Sequence, residues 1–445
     1  MYEYFFIYFF MLFFTLFLFF SHKVSRNFLN PVTIIFFAVI VESIFPIIYL
    51  LINGGYTRIV GAQYDLYAHY IYASLLMLFS LSYFVFLHFS NFANNLSVVI
   101  NSKLTETRPF SSKVEIFILL FASISIAPGS IKLISLMLSV GIDVYFSNRI
   151  ILFSGLGFLL ASFKISQLAG LIVIANQLVL YRNQGKKLNY FNFLFGLFLA
   201  IFPAILMGSR SQIFIPIVGI ITIGLLIKFK GSLNILKLIK PISLGLCLLV
   251  VAINLGAVRE AVMSNKLDSI GEVQSKGLVH GLAFTYGSSE NLLWLIQNDE
   301  PREYLYGYTY LATFLGFIPR AIWKDKPLGG GPVMQNLIVS GSYDQNSENI
   351  SSTTTGILAE LYLNFGPIGM LLGPGLFLLL LSGIFRLVFY FDGVVFIALY
   401  SAVIFRVFGY VNAEFFGVTS HIVTLIFSAY LLKMVILFFC KRIKL

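Results

Sequence analysis

The chain has 445 residues, 58% hydrophobic and 11% charged, with a mean hydropathy of +0.90 and a formal net charge of +11. Soluble domains carry about 25% charged residues. The composition therefore excludes a soluble globular protein, and continuous rather than alternating apolar runs favour helices over a membrane β-barrel. The positive charge sits largely in short connections between apolar runs and does not imply a nucleic-acid partner.

A membrane-crossing helix needs about 20 apolar residues. Eleven segments are expected to cross: 3–20, 31–52, 67–89, 114–138, 155–180, 190–207, 212–227, 239–257, 366–385, 393–411 and 419–439. The first lacks a positive n-region and a small-residue cleavage site, so it is expected to be an uncleaved span. Pro128-Gly129 is expected to kink the fourth. No internal repeat is evident. The two cysteines, Cys247 and Cys440, lie in or beside apolar runs, so no disulfide is expected in the long loop.

Lysine and arginine alternate between connections. One set holds Lys23, Arg26, Lys103, Arg108, Lys113, Arg182, Lys186, Lys187, Lys228, Lys230, Lys237, Lys240, Arg386, Lys441, Arg442 and Lys444. The intervening short connections hold only Arg58, Arg149 and Arg210. The richer set is cytoplasmic by the positive-inside rule, which puts the N-terminus outside and the C-terminus inside. The fold expected is thus an all-α polytopic membrane protein in one integral membrane domain. Its parts are eight spans in 1–257, a large outer loop at 258–365 and three spans in 366–445.

The 258–365 loop holds both tryptophans and 11 of the 19 acidic residues. Loops this long are usually functional or disordered, and its aromatic content argues against disorder. Its run Leu305–Phe317 is too short to cross and suits a short interfacial or re-entrant helix. Around it, Tyr306, Tyr308, Tyr310 and Trp323 read either as an interfacial aromatic belt or as a stacking platform for sugar rings. Ser351–Gly356 places a cap, at Thr355 or Gly356, before a helix that carries Glu360 in its early turns. Glu360 reads either as a helix-start carboxylate or as a general base towards a sugar hydroxyl, with His280 and Glu290 as further base candidates.

Cations on the outer side run against the positive-inside bias, so each needs a reason. Arg149, Arg210 and Arg259 stand at span ends, and Arg320 and Lys326 lie in the loop. Arg406 falls inside the tenth span, as Glu42 and Lys164 fall inside others. As a set, Arg149, Arg210, Arg259, Arg320, Lys326 and Arg406 suit a diphosphate, whose oxygens match the guanidinium fork. Headgroup anchoring and pairing with loop acids, or a buried ion pair for Glu42 and Lys164, are the plainer alternatives. No GxGxxG, Walker A, HExxH, GxSxG or metal-holding DxD motif is present, so no cofactor and no metal are expected.

Three stretches carry a resemblance: Gly208-Ser209-Arg210, the run from Ile318 to Pro327, and Ser352–Gly369 before the ninth span. Together with the hydropathy profile they resemble the Wzy-type oligosaccharide repeat unit polymerases, which make O-antigen and capsular polysaccharides. Arg210, Arg320, Lys326, Glu360 and Gly366 match most directly, Arg149 and Arg259 less so, and neither Arg406 nor His280 is matched. The resemblance implies a glycosyltransferase type C-like fold in the bacterial inner membrane. It also implies an undecaprenyl-diphosphate-linked oligosaccharide as substrate and a chain-length copolymerase of the Wzz type as partner. An O-antigen ligase is the nearest rival, with the same donor and a lipid A core acceptor. A lipid-linked oligosaccharide flippase and a non-catalytic assembly scaffold are rivals of other classes.

Overall fold

Apolar runs that cannot hydrogen-bond to lipid must satisfy their backbone internally, and helices do so within one segment. The computed structural model describes residues 2–21, 29–52, 59, 63–147, 152, 156–207, 210–230, 288–298, 303–315, 318, 323, 325–343 and 353–443. Among these all regular structure is helical. Six helices are long and apolar enough to cross a membrane: Leu66–Phe89, Ser112–Val140, Ala161–Gln184, Ile357–Phe389, Gly393–Asn412 and Phe415–Phe439. Four of the other expected spans coincide with shorter apolar helices, at Phe6–Ser21, Pro31–Ile44, Tyr190–Leu206 and Ile215–Phe229. The expected span at 239–257 lies outside the described residues. Phe9, Leu138 and Phe427 are exposed, as side chains facing lipid are. The chain is a membrane-embedded, multi-pass helical protein.

It divides into two compact units. The first comprises Met1–Asn95, Lys276–Gly383 and Val407–His421. Its first three helices are pinned through tyrosines. Tyr83 donates to the Val32 carbonyl at 3.0 Å and Tyr72 to the Ser43 carbonyl at 2.7 Å. Tyr8 shares a 2.6 Å hydrogen bond with His69 Nδ1. Asp65 caps the Leu66–Phe89 helix by accepting from Ala68 N at 2.7 Å.

The most consequential element of this unit is the Ile357–Phe389 helix. It starts after Gly356, whose φ of +76° is open to glycine. A Cβ on Gly356 would lie 2.7 Å from the Val411 carbonyl oxygen and 2.8 Å from Ser288 Oγ. At Gly366 the helix breaks, with φ 59° and ψ −148°. The arm before the break folds back along the helix that follows. A Cβ on Gly369 would lie 2.5 Å from the Leu361 carbonyl oxygen, and one on Gly373 2.6 Å from a Leu361 methyl. Pro367 has no N–H to give to Leu363, so the elbow leaves carbonyls without helical partners. Residues 305 and 306 supply them: Leu305 N donates to Leu363 O at 3.2 Å and Tyr306 N to Asn364 O at 2.9 Å.

The second unit comprises Leu96–Ser275, Ile384–Arg406 and Ile422–Leu445. Its centre is the Gly157–Gln184 helix, whose crossing window is 89% buried. This helix meets Tyr190–Leu206 where glycines let two backbones touch. A Cβ on Gly170 would lie 2.3 Å from the Gly196 carbonyl oxygen. Near one end, fully buried Glu115 accepts from Gln177 Nε2 at 2.7 Å and Asn192 Nδ2 at 2.6 Å, and also from Asn176 Nδ2. Three helices are thereby tied through one carboxylate whose oxygens are all engaged.

Candidate functional site

Glu360 sits on the folded-back arm of the first unit, 1% exposed. Its Oε1 accepts the Thr309 hydroxyl at 2.9 Å and its Oε2 accepts the Phe415 backbone N–H at 2.9 Å. Thr309 is oriented in turn by Asn364, whose Nδ2 donates to Thr309 Oγ1 at 2.8 Å while its Oδ1 accepts from Gly307 N at 3.0 Å. The elbow, the loop residues that fill it and the carboxylate are therefore one hydrogen-bonded assembly.

A second carboxylate stands beside it. Glu414 Oε2 accepts from Gly331 N at 3.0 Å. Glu414 immediately precedes the Phe415–Ile443 helix, and Gly331 lies in the first turn of the Gly330–Ile338 helix. Each carboxylate thus meets the unpaired N–H groups of another helix's start, where the helix dipole favours negative charge. Between the two acids runs Gly329-Gly330-Gly331. A Cβ on Gly330 would lie 2.9 Å from Glu360 Oε1 and 2.9 Å from Thr355 Oγ1. A Cβ on Gly329 would lie 2.5 Å from Glu414 Oε2. Only backbone without side chains fits between the acids. Burial pushes the Glu414 carboxyl above the usual carboxylate range, with the Gly331 N–H acting in the opposite direction. Gly356 leads into the Ile357–Phe389 helix, its carbonyl accepting from Glu360 N at 3.0 Å; the neighbouring Thr355 hydroxyl is buried and has no hydrogen-bond partner among the described residues.

The aromatic residues expected to form a belt or a platform differ in exposure. Tyr306 is 78% exposed, and Tyr308 and Trp323 are each 40% exposed. Tyr308 adjoins Thr309, the residue that holds Glu360. Tyr310 is different: its ring stacks on Phe365 at 6.1 Å and meets Phe415 edge-on at 5.0 Å, so it packs the assembly. The expected short helix is Tyr308–Leu315.

Of the other base candidates, Glu290 is 2% exposed and accepts from the Tyr64 hydroxyl at 2.9 Å and Ile59 N at 3.4 Å. Burial first, and then Glu290, pushes the Tyr64 phenol up. Glu290 is thus an anchor between the Ser289–Gln297 helix and the residues before Leu66–Phe89. His280 lies outside the described residues, as do Arg149, Arg259 and Arg320. Arg210 begins the Arg210–Phe229 helix, and its side chain lies outside the description. Lys326 donates to the Ile318 carbonyl at 2.9 Å.

Arg406 is placed in the second unit, 6% exposed, where the Gly393–Ile404 helix ends. Lys164, 5% exposed on the Gly157–Gln184 helix, lies close enough to repel it. Glu42 is in the first unit, 1% exposed, with neither oxygen hydrogen-bonded among the described residues. An ion pair between Glu42 and a described cation is not formed.

Sequence reasoning missed Glu414, Thr309 and the structural role of Asn364. The available signal was the triglycine, because three glycines together mark a close backbone approach. No protein-family model, no curated protein and no solved structure matches this chain.

Proposed function

We propose that the chain is a membrane glycosyltransferase of the polysaccharide polymerase kind, resembling the Wzy type, in a bacterial inner membrane. It would move a growing glycan from undecaprenyl diphosphate onto a lipid-linked repeat unit. The observation that supports this reading most is the junction at residues 306–309. Exposed tyrosine rings suited to a sugar face adjoin the threonine that orients a buried carboxylate.

In the proposed reaction, a hydroxyl oxygen of the acceptor sugar attacks the anomeric carbon of the donor. The bond from that carbon to the diphosphate oxygen breaks, and undecaprenyl diphosphate departs with the electron pair. The hydroxyl proton passes to Glu360 in the role of general base. Arginines stabilise the charge that develops on the diphosphate. Such pre-placed donors are typically worth roughly 10² to 10³ in rate each. Arg149, Arg210, Arg259 and Arg320 are the proposed donors, with Lys326 and Arg406. No nucleotide is needed, because the lipid diphosphate is already an activated leaving group.

The test is reconstitution of the purified chain with a lipid-linked repeat unit, reading product length on a gel. A ladder of polymers is expected, and no ladder from Glu360→Gln. Deletion in the producing cell separates the rivals. Loss of a polymerase leaves one repeat unit on the lipid A core, loss of a ligase leaves none, and loss of a flippase traps units on the cytoplasmic side.

A further inference from the structure

Arg406 is a buried guanidinium whose side chain makes no hydrogen bond and no ion pair among the described residues. Guanidinium groups are almost never buried unpaired, because the charge loses its hydration and gains nothing in return. One plain explanation is capping: a cation at a helix C-terminus can bond the last carbonyls and complement the dipole. Arg406 follows the Gly393–Ile404 helix closely, yet only its backbone N–H bonds there, to Val403 O at 3.0 Å. Among the described residues the side chain caps no carbonyl.

Among the described residues, further donors lie nearby. The Gly157–Gln184 and Gly393–Ile404 helices pack against each other. On the former, Lys164 stands close to Arg406 and donates to Gln167 Oε1 at 3.4 Å. The Gln167 amide nitrogen, on a side chain 3% exposed, is itself buried without a partner among the described residues. Two like charges and an unspent amide N–H thus gather in one interior. The backbone there is also irregular, since the Gly393–Asn412 span is interrupted between Ile404 and Gly409. Interrupted helices at membrane depth are tolerated where they are buried in protein or line a cavity, and in transporters they mark ion and substrate sites.

We propose that Arg406, Lys164 and Gln167 form a buried oxyanion site in the second unit, built for a phosphate-class group. A guanidinium fork with an ammonium beside it matches a phosphoryl oxygen set better than a monovalent halide. The site deepens the polymerase reading and rests on it only for the natural source of the ligand, a lipid-borne diphosphate. A free inorganic anion would satisfy the same donors.

The test uses the full chain in nanodiscs without any acceptor. Binding of sodium pyrophosphate is measured by titration calorimetry, with sodium chloride at matched ionic strength as control. A polyprenyl diphosphate incorporated in the disc forms a parallel arm, read by thermal unfolding. Pyrophosphate or the polyprenyl diphosphate should bind and chloride should not. Binding in the soluble arm alone assigns the site to a free anion, and binding in the lipid arm alone to a membrane-borne group; both support the site. Arg406→Gln and Lys164→Gln should each weaken binding at least about tenfold. Ligand-free Arg406→Gln should unfold no lower than the parent, because it removes an uncompensated charge. No binding in either arm, or binding unchanged in both variants, overturns the site. Polymer formation by a chain that binds no anion would sink the site and leave the polymerase reading standing. Anion binding by a chain that makes no polymer would do the reverse.

Discussion

Glu360 and Glu414 face adjacent residues of one triglycine: Glu360 Oε1 is 2.9 Å from where a Gly330 Cβ would stand, and Glu414 Oε2 is 2.5 Å from a Gly329 Cβ. Each also receives a backbone N–H from another helix's first turn. Two acids held this way can differ in role. Glu360 is the more deeply held, between the Thr309 hydroxyl and the Phe415 N–H.

Glu360→Gln should separate chemistry from structure. The amide keeps an acceptor for Thr309 but turns a donor towards the Phe415 N–H, at a cost of about 1 kcal/mol for the lost bond. Loss of a general base should lower polymerisation about 10² to 10⁴-fold. Reconstituted turnover compared with detergent-solubilised unfolding checks this. Normal turnover with lowered stability would make Glu360 a purely structural carboxylate.

The arginine set has a sharper expectation. Arg210→Ala, Arg259→Ala and Arg320→Ala should each abolish or shorten the polymer at normal protein level. Lysine in their place should rescue poorly, since bidentate geometry is lost. Polysaccharide gels from complemented cells give the readout. Normal ladders from all three alanine variants would refute the diphosphate cluster.

Gly366→Ala should be among the most damaging single changes. The backbone at φ 59° and ψ −148° is close to glycine-only, at a cost of order 1–3 kcal/mol for any other residue. A Cβ there would also lie 2.4 Å from Tyr304 Cζ. Tyr304→Ala in the same chain should recover the steric part and leave the backbone part. A double-mutant cycle on unfolding free energy checks the split, and simple additivity would deny the contact.

Glu115→Ala in the second unit should destabilise without touching the proposed chemistry. It leaves the Asn176, Gln177 and Asn192 amides short of their acceptor. Buried groups orphaned in this way cost about 1–3 kcal/mol each. A drop in unfolding temperature with unchanged turnover per folded molecule is expected.

The pH dependence of stability should carry a signature of Glu414. Its carboxyl is raised in the folded chain, chiefly by burial, above an unfolded value of about 4.3. Folding therefore favours the protonated form. The stabilisation from this group is complete below about 4.3 and is lost as pH rises through the folded value. Unfolding temperature against pH should fall less steeply in Glu414→Gln than in the parent. Parallel curves would show that Glu414 does not titrate differently on folding.

The crossing helices were legible because a long apolar run has few alternatives in lipid, and Leu66–Phe89 or Ser112–Val140 could be placed from hydropathy alone. The helix start at Gly356 was legible from its hydroxyl-rich approach, although the Thr355 hydroxyl makes no hydrogen bond among the described residues. Glu414 was not legible. A single acid between two apolar runs looks like any connection, and its meaning comes from Gly331, 83 residues earlier in the chain. Asn364 was equally silent, because its partners Gly307 and Thr309 reach it only across the elbow. The fold-back itself had a local sign in Gly366-Pro367, but its direction depends on Gly369 and Gly373 leaving room for Leu361.

The elbow at Gly366 has a mechanical consequence. From Pro367 to Phe389 the helix reaches about 34 Å at about 1.5 Å per residue, enough to traverse a hydrocarbon layer of about 30 Å unaided. The arm from Ile357 to Phe365 is therefore spared from crossing, and it joins the crossing helix through a hinge bridged by no helical hydrogen bond at Pro367. What steadies the arm is the short stretch from Leu305 to Thr309, which grips its carbonyls, Asn364 and the Glu360 carboxylate itself. Glu360 rides on a lever held from the loop side, so a ligand that tugs on the exposed tyrosines tugs on the carboxylate too.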